Sequence, residues 1–564
     1  MLAGSPLLLF WQLLAGRVLF WGTPLLQFYV WRELVVTAYR AGHFPLWTHL
    51  LGNGAPLLAN LQSAALYPPN LIYFLFPVEQ AMGYSVVLHV MLAGFLMYGF
   101  ARSLGLGQAA SLVAALSYML SGFLISRAHF LSIVSCVPWL PLLFWLTDRV
   151  MRKACLGDAL LLGLTIALQF FAGHAQLWYY GLCGTALYAL YRGFTLRWGD
   201  GVGTASGLRQ AFARWGLMCV ALVVGLSAAA AQLLPTAELA QLSQRSVGAD
   251  YDFAMNYSFW PWRLLTLVSP DLFGNPAHGD YWGYANYWED AGYIGLLPLV
   301  LGFLAPIIWL RRRRWNGSYA LGLVPFFAFL SLVSLLLAMG RHLPLYPFVF
   351  HHVPGFNYFQ APSRFLYLYT FGMAVLAGIG LQHVTASEQW KKFSRYLIAA
   401  SASMLLTLAA VRLYLVAVTE HSFLRGLTHT AALALGAGVI LYFGTRCLSG
   451  ARRNVWEICL VVFVAGDLLA FGWPLNPTAD AQLYRSPTRT GSFLRSLAEG
   501  QEPFRVFSLP RFVYDTMFDE FFRFDDFGST EGGRLRALRE TLLPNLPAAE
   551  GLFSANNYDP LLVS

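Results

Sequence analysis

Apolar residues run along this chain in blocks of 15 to 23, separated by short polar turns that are often basic, from the amino terminus to about residue 475. A helix needs about 20 residues to cross the hydrocarbon of a bilayer, so each block reads as a membrane span. Roughly thirteen are found, centred near Leu9, Met91, Ala115, Leu140, Leu164, Cys183, Val223, Val300, Ser331, Ala374, Leu406, Ala434 and Val462. The pattern predicts an all-α polytopic membrane protein. Three long polar-rich stretches break the rhythm: residues 22–80, residues 235–290 and the tail. The chain therefore divides into a transmembrane domain over 1–475 and a small soluble domain over 476–564.

Positive charge sets the orientation, because short cytoplasmic loops collect Lys and Arg. With a cytoplasmic amino terminus, inside turns hold eighteen such residues, including the run Arg311 to Arg314 and all three lysines, while the outside loops between spans hold eight. Both long loops and the tail then face outward. Composition agrees: 57% of residues are hydrophobic, 16% aromatic and 12% charged, with mean hydropathy +0.54. Soluble proteins carry about 25% charged residues, which excludes a cytosolic enzyme. The net charge of +9 fits this topology, and no soluble basic segment laced with aromatics offers a nucleic-acid surface. Cys136, Cys155, Cys183, Cys219, Cys447 and Cys459 lie in apolar or basic surroundings, outside the long polar segments, so a disulfide framework is not expected.

Chemistry is sought in the outside segments. In the first, Pro24 opens a helix on which Glu33, Thr37 and Arg40 share one face and Leu26, Val30 and Leu34 another, the pattern of a helix lying in the interface. The loop from Gly42 to Pro69 is rich in Gly, Pro and side-chain amides with few charges. Amides bond hydroxyls in both directions and aromatic faces stack on sugar rings, which makes Gln27, Arg32, Asn60 and Gln62 candidate substrate contacts. His174 and Gln176 interrupt an apolar stretch at an outer turn, where polar groups are costly unless partnered. Glu289 and Asp290 stand where the second loop re-enters the membrane. Arg364 follows Ala361-Pro362-Ser363 at a helix start and suits phosphate recognition. Each has a plainer reading: Glu33 pairing with Arg32 or Arg40, Glu289 capping a helix, His174 sealing a turn, Arg364 snorkelling to the interface. No histidine or cysteine spacing suggests a metal site. The Asp- and Phe-rich stretch 514–527 lacks EF-hand spacing and reads as amphipathic surface of the tail.

The runs LLQFYVWREL and GHFPLWTHLLGNGAPLLANLQSAALYPPN resemble the YfhO-like bacterial membrane protein family. So do FFAGHAQLWYY, LVSPDLFGN with YWEDAGYIGLLPL, HHVPGFNYFQAPSRFLYLYTFGMAVLAGIGL and LLPNLPAAEGLFSANNYDPL, in family order. The resemblance implies a GT-C-like bundle with its active site on the outer face of the bacterial cytoplasmic membrane. It implies transfer of a sugar from a polyprenyl-phosphate donor to a cell-envelope glycan or polymer. Partners would be the lipid-linked sugar, the acceptor polymer and membrane lipid. The resemblance points to no particular cofactor, and a divalent cation is compatible with the reaction. Such a transfer uses a general base at the acceptor hydroxyl and a positive group at the leaving phosphate. Glu33 and Glu289 are the candidate bases, and Arg364 the candidate phosphate ligand. The position aligned with an acidic residue of the family's first outside loop is Thr23, four residues before Gln27. A non-catalytic lipid-binding scaffold therefore stands as one alternative and a lipid-linked saccharide flippase as another, although transporters place polar groups at the midplane and carry repeats. The resemblance also implies an exported domain longer than the few residues after Tyr558.

Overall fold

In the computed structural model, the described residues are 1–20, 22–199, 205–244, 246, 248–283, 286–311, 319–383, 388–414, 422–444, 450–499, 504–509 and 532–558. The last three arginines of the basic run and the stretch 514–527 lie outside them. Among the described residues, nine helices are long and apolar enough to cross a membrane: Val78–Ser103, Gln108–Ile125, Leu131–Lys153, Arg209–Gln241, Tyr319–Ala338, Pro362–His383, Lys391–Val411, Ser422–Gly444 and Gly450–Gly472. Three further expected positions are filled by the shorter apolar helices Leu156–Phe171 and Leu296–Arg311 and by Ala175–Gly199.

The block centred on Leu9 behaves differently. It forms two helices, Gly4–Leu9 and Trp11–Leu14, broken at Phe10. Together they are far shorter than the roughly 20 residues that a span needs. Gly16, at φ +89°, then turns the chain into the strand Val18–Leu19. That strand pairs antiparallel with Thr478–Ala479, just beyond the last span. Arg17 secures the junction, donating from Nε to Thr478 Oγ1 and from Nη2 to its carbonyl, each at 2.8 Å.

Helices approach where one of them offers only a hydrogen. Gly163 of Leu156–Phe171 packs against the Ala221 carbonyl, and Gly225 sits on the Gly163 carbonyl in return. Small residues at such crossings let backbones close together where lipid supplies no hydrophobic drive. Pro362–His383 is the most enclosed of the nine, packed chiefly against Leu296–Arg311, Tyr319–Ala338 and Gln108–Ile125, and its Phe371 interlocks with Phe100, Phe144 and Phe327. Arg209–Gln241, Lys391–Val411 and Ser422–Gly444 keep much of their apolar surface facing outward, as lipid-facing helices do.

The tail packs on the first long loop. The Ser554 N–H donates to the Leu50 carbonyl at 2.9 Å, Asn545 Nδ2 to the Leu26 carbonyl at 3.0 Å, and Tyr484 to the Leu19 carbonyl at 2.9 Å. Arg485 pairs with Glu79 at the start of the Val78–Ser103 helix.

A test of the close helix crossings follows at Gly380, where a Cβ would strike the carbonyl oxygen of Leu301 in the neighbouring helix. Gly380→Leu is expected to lose about 1–3 kcal/mol of stability, the ordinary cost of overpacking. Thermal unfolding of the detergent-purified variant, followed by size exclusion, should report an earlier loss of the monodisperse peak.

Candidate functional site

The first loop begins with a π-helical turn, Pro24–Tyr29, a geometry common at functional sites because it displaces side chains from the regular helical rows. It carries Gln27, whose Nε2 donates to the Tyr558 carbonyl at 3.2 Å. Farther on, Asn60 caps a short 3₁₀ turn by accepting from the Gln62 N–H at 3.2 Å, and Gln62 Oε1 accepts from Ser132 at 3.3 Å. Thr236 and Gln232 of the Arg209–Gln241 helix bond the Ala59 and Leu58 carbonyls. The loop backbone is thus fastened by side chains, as irregular chain near a membrane must be.

Gly173 turns the chain at φ +102°, and a Cβ there would press on the Leu61 carbonyl at 3.1 Å. The turn presents His174, whose Nδ1 accepts from the Leu177 N–H at 3.3 Å. Burial, reinforced by Arg364, pushes the imidazole down to about 3, so it is neutral, with the remaining proton assigned to Nε2. Gln176 donates to the Gln360 carbonyl at 2.6 Å and to Tyr180 at 3.1 Å, while its Oε1 accepts from Arg364 Nη1 at 2.8 Å.

These residues meet around one cavity of about 500 Å³. Gln27, Asn60, Gln62, His174, Gln176 and Arg364 all line it, with Thr23 beside Gln27. Trp178, Tyr179, Tyr358 and Phe359 supply aromatic wall. No carboxylate occurs among the described lining residues, and no group of three or more His, Cys, Asp or Glu close enough to hold a metal occurs among the described residues.

Glu289 stands behind this wall, not in it. Its Oε1 accepts from Arg364 Nη2 at 3.1 Å and Nε at 3.3 Å. Its Oε2 accepts from Arg127 Nη2 at 3.0 Å and Ser363 Oγ at 3.2 Å. Arg127 is wholly enclosed, its guanidinium 4.1 Å over the Phe123 ring. Burial raises the Glu289 carboxyl, but Arg364 and Arg127 together outweigh it and hold the group down at about 2. A carboxylate so committed is a poor proton acceptor, so the expected role of base gives way here to that of a counter-charge fixing Arg364. Asp290 also lies outside the cavity lining, paired with Arg263 at 2.9 Å. Burial pushes its carboxyl up to about 7, with Arg263 opposing.

Glu33 is half-buried and is not among the described residues lining this cavity, its carboxyl raised by burial and by Glu79 and lowered by Arg40. Arg32 lines a second, separate cavity. Arg127, Ser363 and Thr236 were not singled out by the sequence. An arginine between two apolar helices at residue 127 is a signal for the first of these; nothing marked the other two.

The arrangement is an electropositive, amide-lined and aromatic-walled cavity whose one cation among the described lining residues is held from behind. Replacing Glu289 by Gln leaves Arg127 buried without its counter-charge, with an expected cost of about 3–5 kcal/mol. Because the folded carboxyl lies near 2, below the ordinary value of about 4.3, its stabilisation is complete above about pH 4.3 and is lost as pH falls toward 2. Thermal midpoints measured across that window should fall for the wild type, and this component should be missing from Glu289→Gln.

The fold is similar to that of ArnT from Cupriavidus metallidurans bound to undecaprenyl phosphate, with 13% identity, 90% of this chain and 82% of that one covered, and a TM-score of 0.48. It is also similar to the mycobacterial arabinofuranosyltransferase AftD, with 14% identity, 90% and 30% coverage and a TM-score of 0.45. For arabinosyltransferase EmbB from Mycobacterium smegmatis the values are 12%, 88% and 42%, and 0.38. This chain spans less than half the length of the two mycobacterial proteins. None of the curated protein sequences matches it. The family model described as bacterial membrane protein YfhO matches residues 27–506, which takes in the first loop, the membrane helices and the beginning of the tail. The chain belongs to the YfhO family of bacterial membrane proteins.

Proposed function

We propose that this protein is a membrane glycosyltransferase that takes a sugar from a polyprenyl-phosphate carrier at the outer face of the cytoplasmic membrane and adds it to a cell-envelope polymer. One observation carries the reading. Arg364 enters a cavity of amides and aromatic rings while Glu289 and Gln176 fix its guanidinium from two sides. A fixed guanidinium is suited to a phosphate whose negative charge grows as the sugar leaves, because it needs no reorganisation at that moment. Gln27, Asn60, Gln62 and the His174 Nε2–H provide donors and acceptors for sugar hydroxyls, and Tyr179, Tyr358 and Phe359 provide faces for its ring. Glu289 is a positioning residue in this scheme. Undecaprenyl phosphate, named with the ArnT structure, is the class of carrier the cavity would take.

A second reading keeps the same ligand without the transfer. It is favoured by Thr23 at the position where the family resemblance places an acid and by the carboxylate-free lining among the described residues. A scaffold presenting a lipid-phosphate sugar to a partner would bind but not turn over.

One experiment separates the two. The purified protein in nanodiscs is given labelled polyprenyl-phosphate sugar and envelope acceptor, and both retained label and transferred label are measured. Transfer that falls about 100-fold in Arg364→Gln, the scale of losing one charge-stabilising donor, supports the enzyme. Glu33→Gln is expected to transfer as the wild type does. Retention without transfer by the wild type supports the scaffold, and wild-type transfer by Arg364→Gln removes the phosphate assignment.

The orientation proposed with this function places the first loop and the tail outside. Residues 1–14 stay on that side too, since Leu13 abuts Gly83 near the start of one span and Leu9 abuts Gly472 at the end of the last. This reading puts the amino terminus outside, where the block pattern gives a cytoplasmic one. In a cysteine-free background, Leu8→Cys, Trp47→Cys and Leu497→Cys should all react with a membrane-impermeant maleimide added to intact spheroplasts, whereas Arg452→Cys should react only after lysis. All four positions are exposed.

A further inference from the structure

Arg32 sits in the Val30–Arg40 helix of the first loop with only 2% of its surface exposed. Its Nη1 donates to the Gln62 carbonyl at 2.9 Å and to the Ser63 carbonyl, and its guanidinium lies 5.7 Å from the Tyr73 ring centre. Its Nε is buried with no hydrogen-bond partner, and no described carboxylate forms an ion pair with it. Glu79 and Arg40 are the charges that act on the neighbouring Glu33. A buried guanidinium whose described partners are carbonyl oxygens and the Tyr73 side chain, with no carboxylate among them, carries a positive charge that proteins otherwise pair with an anion.

That side chain forms part of the wall of a second cavity, about 400 Å³, otherwise lined by Val35, Val36, Leu66, Leu71 and Phe74 with Tyr39, Tyr73 and Asn70 as polar points. The mouth is apolar and open: Leu71 is 66% exposed, and the adjoining Leu75 is 76% exposed. Backbone 61–65 separates it from the first cavity. Leu61 and Gln62 line one side and Ala65 the other, with Ala64 turning between them at φ +43°. Asn70 and Tyr39 hold this partition through the Ala64 and Ala65 carbonyls. One buried cation at the back and exposed leucines at the mouth match an amphiphile with a single anionic group near an apolar chain.

We propose that this second cavity binds the phosphodiester head of an anionic phospholipid, with Arg32 as its counter-charge and Leu71 and Phe74 against the upper part of an acyl chain. The site is independent of sugar transfer, since it lies across the partition from Arg364.

The test uses the full chain in nanodiscs of phosphatidylcholine alone, of phosphatidylcholine with phosphatidylglycerol, and of phosphatidylcholine with polyisoprenyl phosphate. Native mass spectrometry then counts the lipids that stay bound on release. The wild type should retain phosphatidylglycerol over phosphatidylcholine by roughly tenfold, the scale of one hydrogen bond to a charged group. Arg32→Gln should lose that preference, and Arg32→Lys should keep most of it. Leu71→Asp, at an exposed position that folding does not depend on, should lose it too. Arg364→Gln should retain phosphatidylglycerol fully, whatever it does to polyisoprenyl phosphate, so failure of this site and failure of the transferase reading are told apart. Equal retention by wild type, Arg32→Gln and Leu71→Asp overturns the proposal. So does displacement of phosphatidylglycerol by polyisoprenyl phosphate in a manner that depends on Arg32.

Discussion

The cavity end of this helical bundle is organised by one buried ion network, Arg127–Glu289–Arg364. Two guanidiniums and one carboxylate leave a net positive charge, and the excess resides on the member that reaches the cavity. Desolvating such a group is expensive, and removing one partner of a buried pair costs more than the pair itself is worth. The surrounding chain must therefore hold all three together. Asn286 does so by accepting from the Glu289 N–H at 3.0 Å, and Ser363 by donating to its carboxylate. The backbone helps as well. Ala361 adopts a left-handed conformation, φ +62°, so that the chain enters the Pro362–Phe365 turn with Arg364 facing Glu289. A non-glycine residue held there marks a turn fixed by its surroundings.

The same network explains why the cavity's chemistry is carried by neutral groups. Gln176 and His174 both stand within the field of Arg364, and a cation nearby favours neutral imidazole over imidazolium. With the histidine neutral and the amides fixed by the Gln360 and Tyr558 carbonyls, a bound phosphate meets one positive charge among oriented dipoles. The tail takes part directly. Asn545 bonds the Leu26 and Tyr558 carbonyls, at 3.0 and 3.1 Å, and so braces the π-turn that presents Gln27. A segment that reads as a separate soluble domain contributes a strut to the cavity floor.

Legibility in the sequence followed the range of the physics. Spans depend on local apolarity, and twelve of the thirteen block centres fall in helices of the expected kind. The block at Leu9 was misleading because hydropathy counts residues without registering the break at Phe10 or the turn at Gly16. Gln27, Asn60, Gln62, His174, Gln176 and Arg364 were visible as polar groups where lipid makes them costly, and they converge on one cavity. The acids were harder to read. A carboxylate at a loop's re-entry looks the same in sequence whether it faces a substrate or two arginines, and Arg127 lies 162 positions from Glu289. Arg32 and Gln62 seemed to belong to one site because thirty positions separate them in the same loop, yet the guanidinium holds Gln62 by its carbonyl from the far side of the wall.

That last contact has a consequence for how the two cavities relate. Arg32 bonds the backbone of Gln62 and Ser63, while the Gln62 side chain bonds Ser132 within the first cavity. One short segment is therefore gripped from both faces. With Asn60 capping the same turn, a wall held from both sides in this way keeps the two cavities as separate compartments.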